Sequence, residues 1–365
     1  MTIKLKKLVS VAAMLPLLGG MGLAGAQDAQ EPMKVGFIYS SPIGDAGWNT
    51  QQDLGRQEVE KTFGDKVVTK YIESVPENAD GERVIRGLAR EGHKLIFTTS
   101  FGYMNPTLKV AREFPDVKFV HSTGYQTAPN VAITSARLYE GSYLAGVLAG
   151  KMTDSNVAGY VAAFPIPIVL QGINAFAQGM RSVNPDARVR VVWVNTWFDP
   201  GKERHAALAL IKNGADVVTH HTNSTAIVQA AEDEGVYAIA YNSDMHKFGP
   251  NAHIGAATHH WGKYFSDKTR EVMEGTWKAD STLGGIKEQM VDFGSYGGKV
   301  PADIKQYVED QKAGIIAGTT APFAGPVTDR DGTIRVAAGS VMTDKDLGVM
   351  DYFVEGVEGT LPKKN

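Results

Sequence analysis

Lys34-Val-Gly-Phe-Ile-Tyr39 runs directly into Ser40-Ser-Pro-Ile-Gly-Asp-Ala-Gly-Trp-Asn49. The first part is a short β-rich apolar run. The second is a loop that Gly44 and Gly47 allow to turn tightly, and Trp48 opens a helix reaching Lys61. Val67 to Ile72 reads as the next strand, and Gly81 to Arg90 as a helix with Val84, Ile85, Leu88 and Ala89 on one face. Leu95 to Thr98 is a strand, Pro106 to Glu113 a helix, and Lys118 to Val120 a strand. Strands alternating with amphipathic helices specify a parallel sheet covered on both faces.

The rhythm then restarts. Val157 to Ala162 is a strand, and Ile168 to Met180 a helix with Ile168, Val169, Gly172, Ile173, Phe176 and Met180 inward. Arg188 to Val194, Ala215 to Thr219, Tyr237 to Ala240 and Ile254 to Ala257 are further strands. The fold class is therefore α/β, with two doubly wound parallel-sheet lobes. An extended crossing is expected over Val131 to Glu140, and a hairpin around Asp331-Gly332. The tail is too short for a third lobe, so the chain must return. The expected division is residues 33–137 plus about 281–365 in one lobe and 138–280 in the other.

Upstream of the first strand, Lys4, Lys6 and Lys7 precede an apolar run from Leu8 to about Leu23, and Ala24-Gly25-Ala26 follows. Charge, apolar run and small-residue exit read as a secretory signal peptide over residues 1–26, placing the mature chain in the periplasm or an equivalent extracytoplasmic space. The absence of cysteine excludes disulfides and thiolate metal sites, and removes the residue a lipid anchor would need. A net charge of −3 offers no electrostatic reason to bind nucleic acid or an anionic membrane.

Ligands of open α/β sheets sit beyond the carboxyl ends of the strands. Those ends carry Trp48 and Asn49 after the first strand, Phe101-Gly102-Tyr103 after the third and Thr123 after the fourth. In the second series they carry Phe164, Trp197, Asn223, Asn242, Asp244 and Trp261. Aromatics and neutral hydrogen-bonding groups dominate. Trp48 and Trp197, one from each lobe, are placed to sandwich a flat ring, with amides and hydroxyls for its edge.

Asp45, Asp199 and Asp244 are a candidate carboxylate constellation for acid–base work, but Asp199 and Asp244 stand where helices or turns begin and are expected as caps. His220-His221 and His259-His260 are adjacent pairs whose members point apart, a poor start for a metal site. GxxxxGK, GxSxG, HExxH and GxGxxG are absent. No catalytic residue, metal or cofactor is expected.

Gly44-Asp-Ala-Gly-Trp-Asn-Thr-Gln51, Glu140-Gly-Ser-Tyr-Leu-Ala-Gly146, Lys94-Leu-Ile-Phe-Thr-Thr-Ser-Phe-Gly-Tyr-Met104 and Asn195-Thr-Trp-Phe-Asp-Pro-Gly-Lys202 resemble the basic membrane protein family. These are substrate-binding proteins of ABC importers that include a purine nucleoside receptor, and the likeness is strongest to a proteobacterial branch with an adenine-binding member. The resemblance implies a type I periplasmic-binding fold with a hinged cleft, delivery to a membrane permease, and a purine held between Trp48 and Trp197 beside Asn49. It also implies departures. The aspartate and lysine that hold a ribose diol correspond to Asn242 and Trp261, and an acidic base-reading residue to Ser122 or Thr123. A free purine base, with Trp261 filling the ribose space, is the resulting expectation for a monomeric binder. A nucleoside, a sugar, a sensor role in a signalling receptor and a nucleoside hydrolase are the alternatives, the last lacking an Asp-rich cluster.

Overall fold

The computed structural model describes residues 31–362, so the expected signal peptide lies outside the described residues. The first sheet grows from β1 (Met33–Ile38), β2 (Val67–Ile72), β3 (Leu95–Thr98), β4 (Lys118–Ser122) and β5 (Val131–Ala136), linked by α1 (Trp48–Phe63), α2 (Ala79–Arg90) and α3 (Met104–Glu113). Local chemistry explains these elements. The Asn78 side chain accepts from Asp80 N to cap α2, and Ile85, Leu88 and Ala89 bury one face of that helix.

The chain then forms α4 (Leu138–Met152), β6 (Val157–Ala162), α5 (Pro167–Val183), β7 (Arg188–Trp193), α6 (Pro200–Lys212), β8 (Val217–His221), α7 (Ala226–Glu234), β9 (Tyr237–Asn242) and β10 (His253–His259). The last part holds α8 (Gly262–Glu274), β11 (Ser281–Gly284), β12 (Val291–Gly294), α9 (Ala302–Ala317), β13 (Val327–Thr328), β14 (Ile334–Val336), α10 (Asp344–Leu347) and β15 (Val357–Glu358).

The first sheet has the order β11-β5-β4-β3-β1-β2, and the second β12-β10-β9-β8-β6-β7-β15. Both contain the doubly wound order 2-1-3-4-5, so each has a switch point where successive connections leave on opposite faces. In the first sheet it lies between β1 and β3, in the second between β6 and β8. The β13–β14 pair closes a hairpin over Asp331-Gly332.

Two expectations need correction. The crossing expected to be extended over Val131 to Glu140 is strand only to Ala136, because Leu138 already begins α4. That helix is buried almost all round, so its sequence lacks the polar stripe that marks an amphipathic helix. Strand pairing also distributes the tail differently. Only β11 joins the first sheet, whereas β12 pairs antiparallel with β10 and β15 pairs parallel with β7. Conversely, α8, expected in the second lobe, packs on α1, and its Phe265 lies against Phe37 and Phe97 of the first sheet. Strands of two to four residues carry too little pattern to reveal their sheet. The chain thus passes between the sheets after β5, before α8 and after β11. No helix among the described residues is long and apolar enough to cross a membrane.

Candidate functional site

The two switch points face each other across a small cavity of about 40 Å³, at the place where open α/β sheets hold their ligands. Ser40, Trp48, Ser100, Phe101 and Thr123 line it from the first sheet. Leu138, Ile168, Trp197, His221, Asn223 and Asn242 line it from the second. Thr123 and Asn242 hold positive φ angles of 64° and 72°. A β-branched residue rarely adopts this conformation, and such outliers concentrate at ligand sites.

Both tryptophans have their polar edges occupied by protein. Trp48 Nε1 donates to Thr99 O at 2.6 Å, and Trp261 meets the Trp48 ring edge-on with centroids 5.5 Å apart. Trp197 Nε1 donates to Glu77 Oε2 at 3.0 Å, and Phe164 packs edge-on against it at 4.9 Å. The N–H bonds fix the orientation of each ring, and stacking uses the faces. The Trp197 loop is tied to the Asn223 loop by Asn223 N donating to Trp197 O at 3.0 Å. Buried Glu203 ties them again, accepting from Asp199 N and Ser224 N.

The cleft is closed. Gly47 N donates to Ser243 Oγ at 2.9 Å and Trp48 N to Asn223 Oδ1 at 3.2 Å. Gln51 Nε2 reaches Ser243 Oγ at 3.0 Å, and Trp197 reaches Glu77 from the opposite side. Helix α1 has no side-chain cap of its own. Its first amides are satisfied across the cleft instead, which meets the helix-end requirement only when the sheets approach. Gly47 permits this approach: its φ is 116°, and a Cβ there would sit 2.3 Å from Asn223 O.

Six expected residues therefore line the cavity together: Trp48, Phe101, Thr123, Trp197, Asn223 and Asn242. Six do not. Asn49 is buried and donates to Ser41 O and Ser41 Oγ, shaping the loop below Trp48. Gly102 N donates to Glu77 Oε1, and Tyr103 is buried with its hydroxyl on Val75 O. Phe164 supports Trp197, and Asp244 turns away to accept from His246 N. Trp261 is 1% exposed, bonded to His259, and packs against Trp48. Ser40 and Ser100 sit in the loops singled out but were passed over, and their place directly after β1 and β3 was the signal. Leu138 and Ile168 begin helices and carried none.

Among the described residues, no Asp, Glu, Lys or Arg lies on the cavity wall. The candidate acid–base carboxylates are apart in role: Asp45 pairs with Lys247 at 3.3 Å, and Asp199 caps α6 by accepting from Lys202 N. Among the described residues no group of three or more His, Asp or Glu could hold a metal ion. His221 on the wall is neutral, because burial pulls it down to about 4.

The same desolvation pulls His220 and His253 to about 4 and His121 and His259 to about 3. Each titrates near 6.5 in the unfolded chain. Below that pH the unfolded chain binds more protons than the folded one, so stability falls as pH drops from about 6.5 towards 4. The melting temperature should decline clearly between pH 7 and pH 5. An equal melting temperature at both would contradict the burial of these rings.

A family model described as ABC transporter substrate-binding protein PnrA-like matches residues 33–319. The chain is 49% identical over 346 residues to a purine-binding protein of Brucella abortus (strain 2308), covering 95% of this chain and 99% of that one. It is 38% identical over 339 residues to a putative ABC transporter glucose-binding protein of Haloferax volcanii, covering 93% and 83%. Among solved structures, a solute-binding protein of an ABC transporter system from Aeropyrum pernix K1 superposes with a TM-score of 0.69 at 19% identity, covering 79% of this chain and 92% of that one. Another from Conexibacter woesei DSM 14684 gives 0.63 at 22%, covering 79% and 97%. At these identities the structures are alike in fold.

Proposed function

The chain belongs to the PnrA-like, or basic membrane protein, family of ABC transporter substrate-binding proteins, and from that membership we propose that it captures a free purine base, adenine-like, between its two sheets. It is a binding protein of a transporter and not an enzyme. The observation that carries the ligand reading is an uncharged cavity walled by two tryptophans from opposite sheets. A flat neutral ring stacks well on such walls. A ribose diol calls for a charged acceptor, and none stands there. The purine-binding relative at 49% identity supports the same reading.

In this reading the two sheets act as lobes that hinge on the three chain passages. The ligand docks in the open cleft, and closure forms the bonds from Gly47, Trp48 and Trp197 to the opposite sheet. The closed surface is what the permease in the cytoplasmic membrane recognises. The protein works as a monomer outside that membrane, since one chain completes the site, and the cavity needs no cofactor.

A sugar is the second reading, favoured by the relative named as a glucose-binding protein. A thermal-shift panel of adenine, guanine, hypoxanthine, adenosine and glucose separates them. Adenine in large excess over its Kd should raise the melting temperature, by linkage equivalent to about 3 kcal/mol at a hundredfold excess. Stabilisation by adenosine or glucose, with free bases inert, would sink the nucleobase reading.

A further inference from the structure

The hydrogen bonds beneath the cavity can be traced from two ends. Trp261 Nε1 can only donate, and it lies 2.6 Å from His259 Nδ1. Nδ1 therefore accepts, and the neutral ring carries its proton on Nε2. Asn242 lies 3.0 Å from that Nε2 and so turns its Oδ1 towards it. Its Nδ2 then faces Thr222 O and Asn223 Oδ1, each at 3.3 Å. From the other end, Trp48 N can only donate, and its approach to Asn223 at 3.2 Å also demands Oδ1. An indole N–H, a backbone N–H and a backbone carbonyl thus impose one orientation on both amides. The Asn223 oxygen is used twice. Its Nδ2 has no protein acceptor among the described residues, and the side chain lines the cavity.

We propose that Asn223 reads the ligand edge as an obligatory hydrogen-bond donor, with Asn242, His259 and Trp261 as positioning residues that fix which way its amide points. The choice of ligand rests on the purine reading above. The bound ring must present an acceptor, such as a ring nitrogen, to Asn223 Nδ2. A ring N–H there would set two donors against each other, and a C–H would leave a desolvated donor unmet. Sites built to make a hydrogen bond reject analogues that lack its partner.

The test uses the mature protein, adenine and its 1-deaza, 3-deaza and 7-deaza analogues, with affinity read by calorimetry. Asn223→Asp is the central variant, because its carboxylate still accepts from Trp48 N and Asn242 Nδ2 while the donor is gone. One analogue should bind wild type at least about tenfold more weakly than adenine, and that gap should close in Asn223→Asp. Trp261→Phe keeps a ring behind Trp48, frees the His259 tautomer, and should narrow the same gap. Nitrogen-15 NMR of the ligand-free protein should find His259 protonated on Nε2. Three analogues matching adenine on wild type, a gap that survives in Asn223→Asp, or an Nδ1-protonated His259 would each overturn the proposal. If no purine base binds while His259 is protonated on Nε2, the purine reading fails and the positioning relay stands.

Discussion

Trp197→Ala is expected to weaken ligand binding by about 2 kcal/mol or more, roughly a thirtyfold rise in Kd. Three losses combine. The ring that forms one wall of the cavity disappears. The Nε1 bond to Glu77, which crosses the cleft, goes with it. Phe164 also loses the partner it meets edge-on at 4.9 Å. Trp197 is only partly buried, so the unliganded protein should keep most of its melting temperature. Trp197→Phe retains a stacking face but not the donor and should fall between wild type and alanine. Calorimetry on the three proteins decides the matter, and wild-type affinity in Trp197→Ala would remove the sandwich from consideration.

Gly179→Ala should destabilise the fold itself by about 3 kcal/mol or more, at the upper end for overpacked sites. Helices α4 and α5 cross in backbone contact. A Cβ on Gly179 would lie 2.0 Å from Tyr143 O, and one on Gly146 would lie 2.0 Å from Phe176 O. The obstacle on each side is main chain, which no rotamer change can move aside. The helices must separate, and the core to which Leu144, Val147, Ile173 and Phe176 belong loses packing. Gly87→Ala is the control. It lies inside α2 with nothing within 4 Å of its would-be Cβ, and alanine there should be neutral or stabilising by up to about 1 kcal/mol. Thermal denaturation of both variants should separate them by about 4 °C or more. Equal melting temperatures would show that the crossing can relax.

Much of the site was legible because parallel sheets place function at a predictable end. Trp48, Phe101, Thr123, Trp197, Asn223 and Asn242 lie at or beyond the ends of strands visible from the pattern of apolar residues, and all reach the cavity. The same rule names more residues than the cavity wall holds. Asn49, Gly102, Tyr103, Phe164, Asp244 and Trp261 also follow strands, but a loop residue can point into the cavity, under its own loop or out to solvent. Only the local backbone decides which. Asn49 satisfies a main-chain group of its own loop, Tyr103 one of the loop after β2, and Trp261 reaches back to His259. His221 was considered only as half of an adjacent pair and proved to be part of the wall. The pairing of Asn242 with Trp261 through His259 joins residues 19 positions apart and leaves no periodic trace.

The sequence by itself determined two doubly wound units, the uncharged and aromatic character of their strand ends, and the family. These follow from side-chain period and from chemistry at fixed offsets, which are local properties. Tertiary structure alone decided which sheet receives each short tail strand, that α8 crosses back to the first sheet, and which way the Asn223 amide faces. Each depends on partners far along the chain. A four-residue strand can pair with either edge, an amphipathic helix can cover either sheet, and an amide turns to suit whichever donors arrive. The opening stretch shows the division well. Gly47-Trp48 announced a strand, a turn and a helix, but the acceptors for its amides, Ser243 and Asn223, come from the other sheet.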